Sequence, residues 1–506
     1  MLVIPFENHS HAPGLEWIGD SFPELLQERL TSPNLYVLAR EDRLRAYDRL
    51  GIPAEVDLSR ATIYRIAEQM DVDYVILGSY DFDGRTFTTT AQLLDMRREQ
   101  LFPPMVEAGP LPQLIDVQTA LAWDVLRTLR PDLSLSKAAY LESAPAIRLD
   151  AFENYVRGAI ATSPDEQIRR FSEAVRLKPD YPEALLQLGK AYYRDRQYAE
   201  AVASLERVPS DSSQSREANF CLGLAAYSKG DYDRAESAFN FVASRLPLTE
   251  VYNNLGVVAA RRGSKDAKQY FQKAIDADPN DADYHFNMAV SLYRSGDLAG
   301  ASRQIRQTLT LRPNDSDAKS LLSRITSKVT ANVHYLSSSD SSKLPLERIR
   351  TNYEESSFRQ AAIKIAAVAE QRLAKTDPHS HAQFHADRGH ELLVQGFLSE
   401  AEGQFREALS LDPANADSHA GLARVLEARK DFSGARSEAE AALRLREFPE
   451  PLLVLARLDL RENKTEAAAE DVNRALRWDP ESSQALALQR AIAAKLAEKA
   501  QPLSKR

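Results

Sequence analysis

The 506 residues carry 64 basic and 73 acidic side chains, a formal net charge of −9, with 43% hydrophobic and 27% charged residues. That is the balance of a globular protein too long for one ordinary core, so several domains or a repeat array are expected. No basic surplus is available to neutralise nucleic-acid phosphates or to hold an anionic membrane, no apolar run is long enough to span a bilayer, and a single cysteine, Cys221, excludes an internal disulfide and a multi-thiolate metal site.

In chain order, the first 130 residues have strand character. "LVIPF", "LYVLA" (35–39), "DYVILGSYDF" (73–82) and "TFTTTAQLLD" (86–95) are rich in β-branched and aromatic residues. Asp83-Gly84 predicts a type I′ hairpin between the last two. Helical spacing covers 20–30, 58–70 and 113–129, which gives the order β-α-β-α-β-β, a further short strand near 100–107, and a closing helix.

Pro5 to Asn8, Trp17, Gly19-Asp20, Tyr74-Val75, Gly78-Ser79 and Ala91-Gln92-Leu93 together resemble the TolB amino-terminal-like domain, over about a quarter of the chain. The resemblance implies an α/β fold placed ahead of helical repeats in bacterial proteins, without common catalytic residues. In such proteins the first strand usually follows an export signal, an anchor or another domain. The strand at Met1 therefore suggests either a trimmed sequence or a start codon placed too late, with a cytoplasmic location as written and an envelope one if a signal or anchor precedes it.

Beyond residue 150 the chain repeats itself. "FSEAVRLKP" (171–179), "FQKAIDADP" (271–279), "FREALSLDP" (405–413) and "VNRALRWDP" (472–480) echo one another. A small residue precedes the proline by twenty-four positions at Gly223 and Gly389, and by twenty-three at Gly256. A second small residue recurs at Ala201, Ala235, Ala301, Ala401, Ala435 and Ala468. Small residues on two facing helices let them approach, a large residue such as Phe239 or Phe405 fills the space between, and the late proline ends the second helix.

This pattern resembles the tetratricopeptide repeat. The fold class expected is α+β: a small mixed α/β domain, then an all-α solenoid in two arrays. The segments are 1–130 for the α/β domain, 131–150 for a connector and 151–325 for the first array. A Ser-rich linker follows at 326–350, then a degenerate helical unit at 351–381 and a second array with a capping helix at 382–499.

The chemistry-bearing clusters have structural explanations. Glu7, His9 and His11 read as a solvated loop, His381 and His385 as packing and surface residues, and Cys221 as a small helical thiol. No phosphate loop, nucleophile elbow or kinase signature occurs, so no enzyme, metal or cofactor is expected. Binding is expected on the concave face, lined by the first helix of each pair. The repeat resemblance places Gln187, Cys221, Asn254 and Asn287 at the sixth repeat position, where side-chain amides can satisfy an extended peptide backbone or simply belong to the repeat. Tyr193 and Tyr293 offer apolar area. In the second array His390, Arg424 and Arg457 share the ninth position, a cationic line suited to an acidic segment. A protein or peptide partner is expected, with no nucleic acid and no membrane span. Two other readings stay open: the regulatory or sensory part of a signalling protein, and a cell-envelope assembly factor.

Overall fold

The computed structural model describes residues 1–500 apart from residues 11, 33–34, 54–57, 132–134, 331–346, 374–376 and 396–397. The chain falls into two compact units, Met1–Phe358 (less residues 32–34) and Arg359 onward.

The first unit opens with a mixed sheet. β1 (Leu2–Val3) and β2 (Glu7–Asn8) pair in parallel with β3 (Tyr74–Phe82), through Leu2 with Val75 and Glu7 with Ser79. β3 pairs antiparallel with β4 (Thr86–Asp95), and β4 carries β5 (Gln100–Leu101) and β6 (Met105–Pro110). Alternation along β4 sends Phe87, Ala91 and Leu93 inward. Gly78 is fixed by packing, since a Cβ there would sit 2.3 Å from the Phe6 ring.

The hairpin differs from the expected type I′ form. Only Gly84 has positive φ (93°), and the Asp83 carboxylate holds the turn by accepting from the backbone N–H groups of Arg85 and Thr86, both at 2.8 Å. "LYVLA" is also not a regular strand. Residues 36–38 lie beside Met1 through bonds from the amino terminus to Tyr36 O and from Leu38 N to Met1 O, and then the chain turns into a helix.

Three helices, α1 (Trp17–Leu30), α2 (Arg40–Leu50) and α3 (Arg60–Gln69), precede β3, and α4 (Leu114–Leu129) follows β6. The helix α2 has no counterpart in the sequence expectations. Its sequence "REDRLRAYDRL" is too polar for apolar periodicity to mark it. A short helix, α5 (Lys137–Ser143), leads into paired helices: α6 (Leu149–Ile160) with α7 (Pro164–Leu177), α8 (Pro182–Arg194) with α9 (Tyr198–Leu205), α10 (Ser215–Lys229) with α11 (Tyr232–Ala243), α12 (Thr249–Arg261) with α13 (Ala267–Ala277), and α14 (Ala282–Arg294) with α15 (Leu298–Leu311). The helix α16 (Ser316–Thr330) closes the series.

The recurring residues account for this regularity. A Cβ at Gly189 would meet Leu205 at 2.4 Å, one at Gly223 would meet Phe239 at 2.6 Å, and one at Gly256 would meet Phe271 at 2.5 Å. Each pair therefore closes on a large side chain from its second helix. The turn inside a pair needs a left-handed residue, supplied by Gly230, Gly263 and Gly296, and by Arg196 at an energetic cost. Asp231 and Asp297 then cap the second helix.

One hydrophobic core runs from the sheet into the array. Trp17 meets Phe152 edge-on with ring centroids 6.3 Å apart, and Tyr155 packs on Phe171 and Tyr181. The second unit repeats the helix-pair pattern from Pro378–Gln395 with Leu398–Leu411 through Pro449–Arg461 with Thr465–Trp478, and ends in the helix Ser483–Ala500.

Candidate functional site

The concave side of the first array is lined by α8, α10, α12 and α14, and residues 347–355 of the same chain lie along it. Glu347–Arg350 belong to the stretch assigned from sequence to a Ser-rich linker; the structure seats them in the groove. Residues 331–346 of that linker lie outside the described residues.

The seat reads the backbone. Asn287 donates from Nδ2 to Arg348 O (2.8 Å) and accepts at Oδ1 from Arg348 N (2.7 Å). One repeat earlier Asn254 does the same for Arg350, with both bonds at 2.8 Å. Asn253 adds a bond to Arg348 O (3.0 Å) and accepts from Asn287 at 2.7 Å. Further along, Glu354 N donates to Glu250 Oε1 at 2.8 Å. Residues two apart in an extended chain thus meet amides from successive repeats, and the segment runs opposite to the repeat order. Asn253, Asn254 and Asn287 are fully buried beneath it.

The side chains of the segment are matched one by one. Glu347, with no exposed side-chain surface, faces Arg261 and Arg294. Arg348 stacks over Phe286 at 3.7 Å and bonds Asp283 (2.8 Å) and Asp315 (2.6 and 2.8 Å). The Arg348 guanidinium holds the Asp315 carboxyl down at about 2. Arg350 pairs with Asp281 and faces Tyr284. Tyr353 packs on Phe220 (5.2 Å), and Glu355 pairs with Arg216 at 3.0 Å.

The other end of the groove meets the α/β domain. Gln187 donates to Glu41 of α2 (3.2 Å), and Lys190 bridges Glu41 and Glu217, both at 2.8 Å. The Lys190 ammonium keeps the Glu41 carboxyl near 2, whereas burial pushes Glu217 up. Cys221 lies beside this group, and burial pushes its thiol up to about 12, far from nucleophilic.

Not every residue expected to face a partner does so. Tyr293 is 1% exposed and packs in the core with Leu298 and Ile305, which removes it from any binding face. Tyr193 is half-buried against Tyr198, ring centroids 5.7 Å apart. In the second array the cationic line is neutralised from within. Arg424 bonds Glu450 (2.8 Å), His390 lies 4.0 Å from the same carboxylate, and Arg457 makes two 2.6 Å bonds to Glu427. An acid on the neighbouring helix answers both arginines, so no uncompensated positive stripe results.

The histidines are struts. His385 Nδ1 pairs with Gln404 (2.8 Å) and its Nε2 with His381 (3.2 Å). His285 and His419 make the same bridge to Gln304 and Glu438, nineteen residues on. Glu7 and His9 face each other at 3.5 Å on the surface, and His11 lies outside the described residues. Among the described residues no group of three or more His, Cys, Asp or Glu is arranged to hold a metal, and no helix is long and apolar enough to cross a membrane.

Sequence reasoning missed the occupant and its acidic seat. "ERIRTNYEE" has no period, and Asp281, Asp283 and Asp315 resemble ordinary helix-start residues.

Family models agree with the helix-pair pattern. Models of the tetratricopeptide repeat match residues 162–220 and 264–325, and a second such model matches 220–282 and 386–450. No curated protein matches in sequence. Among solved structures, MamA from Desulfovibrio magneticus RS-1 is similar at 24% identity over 34% of this chain and 100% of its own, with a TM-score of 0.32. A tetratricopeptide repeat protein from Parabacteroides merdae is 15% identical over 56% of this chain and 100% of its own, TM-score 0.24. YrrB, described as having an unusual peptide-binding site, is 14% identical over 51% of this chain and 97% of its own, TM-score 0.26. Residues 162–325 and 386–450 are therefore tetratricopeptide repeats.

Proposed function

We propose that the protein is a non-catalytic interaction scaffold whose first array holds an extended polypeptide by its backbone. The observation that supports this most is the paired amide reading of Arg348 and Arg350 by Asn287 and Asn254. Each amide donates and accepts at once, so the backbone of one partner residue is satisfied by one repeat. Such recognition needs no reacting group, only complementary surface and paired polar atoms. The α/β domain, which we read as TolB amino-terminal-like, serves the scaffold by closing the end of the groove at Gln187 and Lys190.

The test is selection of peptides from a displayed random library against the full chain and against N254A/N287A. Peptides that bind the native chain and lose at least about tenfold affinity on the double variant support backbone reading. Peptides that bind both equally, or no enrichment at all, overturn it.

A further inference from the structure

We propose that residues 347–355 are an exchangeable occupant of the groove, and that the partner they give way to is an extended segment of the pattern Glu-Arg-x-Arg-x-x-Tyr on another protein. This inference rests on the backbone-reading function above and specifies its ligand.

The seat defines the partner's chemistry position by position. The basic pair Arg261 and Arg294 selects an acid at the first place. Two arginines follow at alternate positions. One stacks on Phe286 between Asp283 and Asp315, and the other faces Asp281 and Tyr284. Planar guanidinium groups fit both roles, stacking on a ring while bonding carboxylates, and lysine fits neither as well. Three residues on, Phe220 takes an aromatic ring. Alternate residues address successive repeats, so a shift of one residue would turn both arginines out of their acidic sites.

The chain's own segment fits this seat well but incompletely. On the seat, Arg261 Nε and Nη2 are buried without a hydrogen bond, and Glu347 Oε2 comes only to 3.4 Å from Nη2. Ile349 and Tyr353 pack against the array's apolar core, and the remaining contacts are polar bonds and ion pairs, whose net contribution is reduced because water offers the open state the same bonds. The segment succeeds because it is part of the chain: covalent attachment keeps it at an effective concentration on the order of millimolar. An external segment whose acid bonds the free Arg261 nitrogens, or that arrives at high local concentration, competes on equal terms.

The probe is a fluorescent synthetic peptide of Glu347–Ser357, titrated into the full chain and into R348E/R350E, whose reversed charges face Asp281, Asp283 and Asp315. The expected result is binding to the variant at least about tenfold tighter than to the native chain, abolished when N254A/N287A is added. An intact melting transition paired with no gain in binding overturns the exchange. Binding that survives N254A/N287A overturns the backbone-reading function instead.

A second measurement needs no variant. Excess unlabelled peptide added to the native chain should raise deuterium uptake in 347–354 while leaving the core helix Ala282–Arg294 unchanged. Uptake that does not respond to millimolar peptide overturns the proposal, as does peptide-independent dimer formation in which the segment is traded between two copies.

Discussion

At the scale of single residues, the groove shows how a neutral side chain can recognise any sequence. Asn254 and Asn287 were legible as candidates because they recur at one repeat position with an amide able to donate and accept. Their neighbours Asn253, Glu250 and Asp283, which complete the seat, carried no sign of that role, since a polar residue early in a helix is ordinary. Tyr293 illustrates the converse: position in the repeat suggested a surface ring, and α15, the second helix of its own pair, buries it. A different residue makes a pH test. Burial, with Glu28 beside it, raises the carboxyl of Glu183 at the start of α8 to about 8. The folded protein then keeps a proton that the unfolded chain releases near 4.5, so this group's contribution to stability falls as pH rises from about 4.5 to 8. E183Q should therefore raise the melting temperature at pH 8, and the difference should vanish near pH 4.5. Equal melting temperatures for the two chains at pH 8 would count against a half-buried, proton-holding Glu183.

At the scale of elements, the helix pairs were readable from sequence because their closure depends on a few residues at fixed spacing. A glycine faces a large side chain, a left-handed residue turns the pair, and a proline ends it. The close approach at Gly256 gives a direct check. In G256A the added methyl would lie 2.5 Å from the Phe271 ring, and overpacking of this kind costs about 1–3 kcal/mol, only partly offset by the better helix propensity of alanine. Urea unfolding should show a lower midpoint with an unchanged slope, and an unchanged or raised midpoint would mean that α12 and α13 do not meet as described. Elements lacking such periodic signals were lost. The helix α2 is almost wholly polar on its exposed side, and the "LYVLA" stretch met the composition of a strand yet pairs with Met1 through only two backbone bonds. Composition specifies what a segment can form, and the neighbour it meets decides the outcome.

At the scale of the whole molecule, the sheet domain and the first array share one apolar core, and the chain then folds back along the groove that this array creates. That return was illegible in sequence for a physical reason. A segment held by its backbone need not carry a pattern of its own, and its hydrogen-bond partners on the array lie from 31 to 139 residues away in the chain. The most direct test of the account compares hydrogen exchange at residues 347–354 in the native protein and in N254A/N287A. The seated amides of Arg348 and Arg350 should be protected in the native chain and should lose that protection in the double variant, while the helices of the array keep theirs. Rapid exchange of 347–354 in both proteins, or equal protection in both, would contradict a groove that holds its occupant by the backbone.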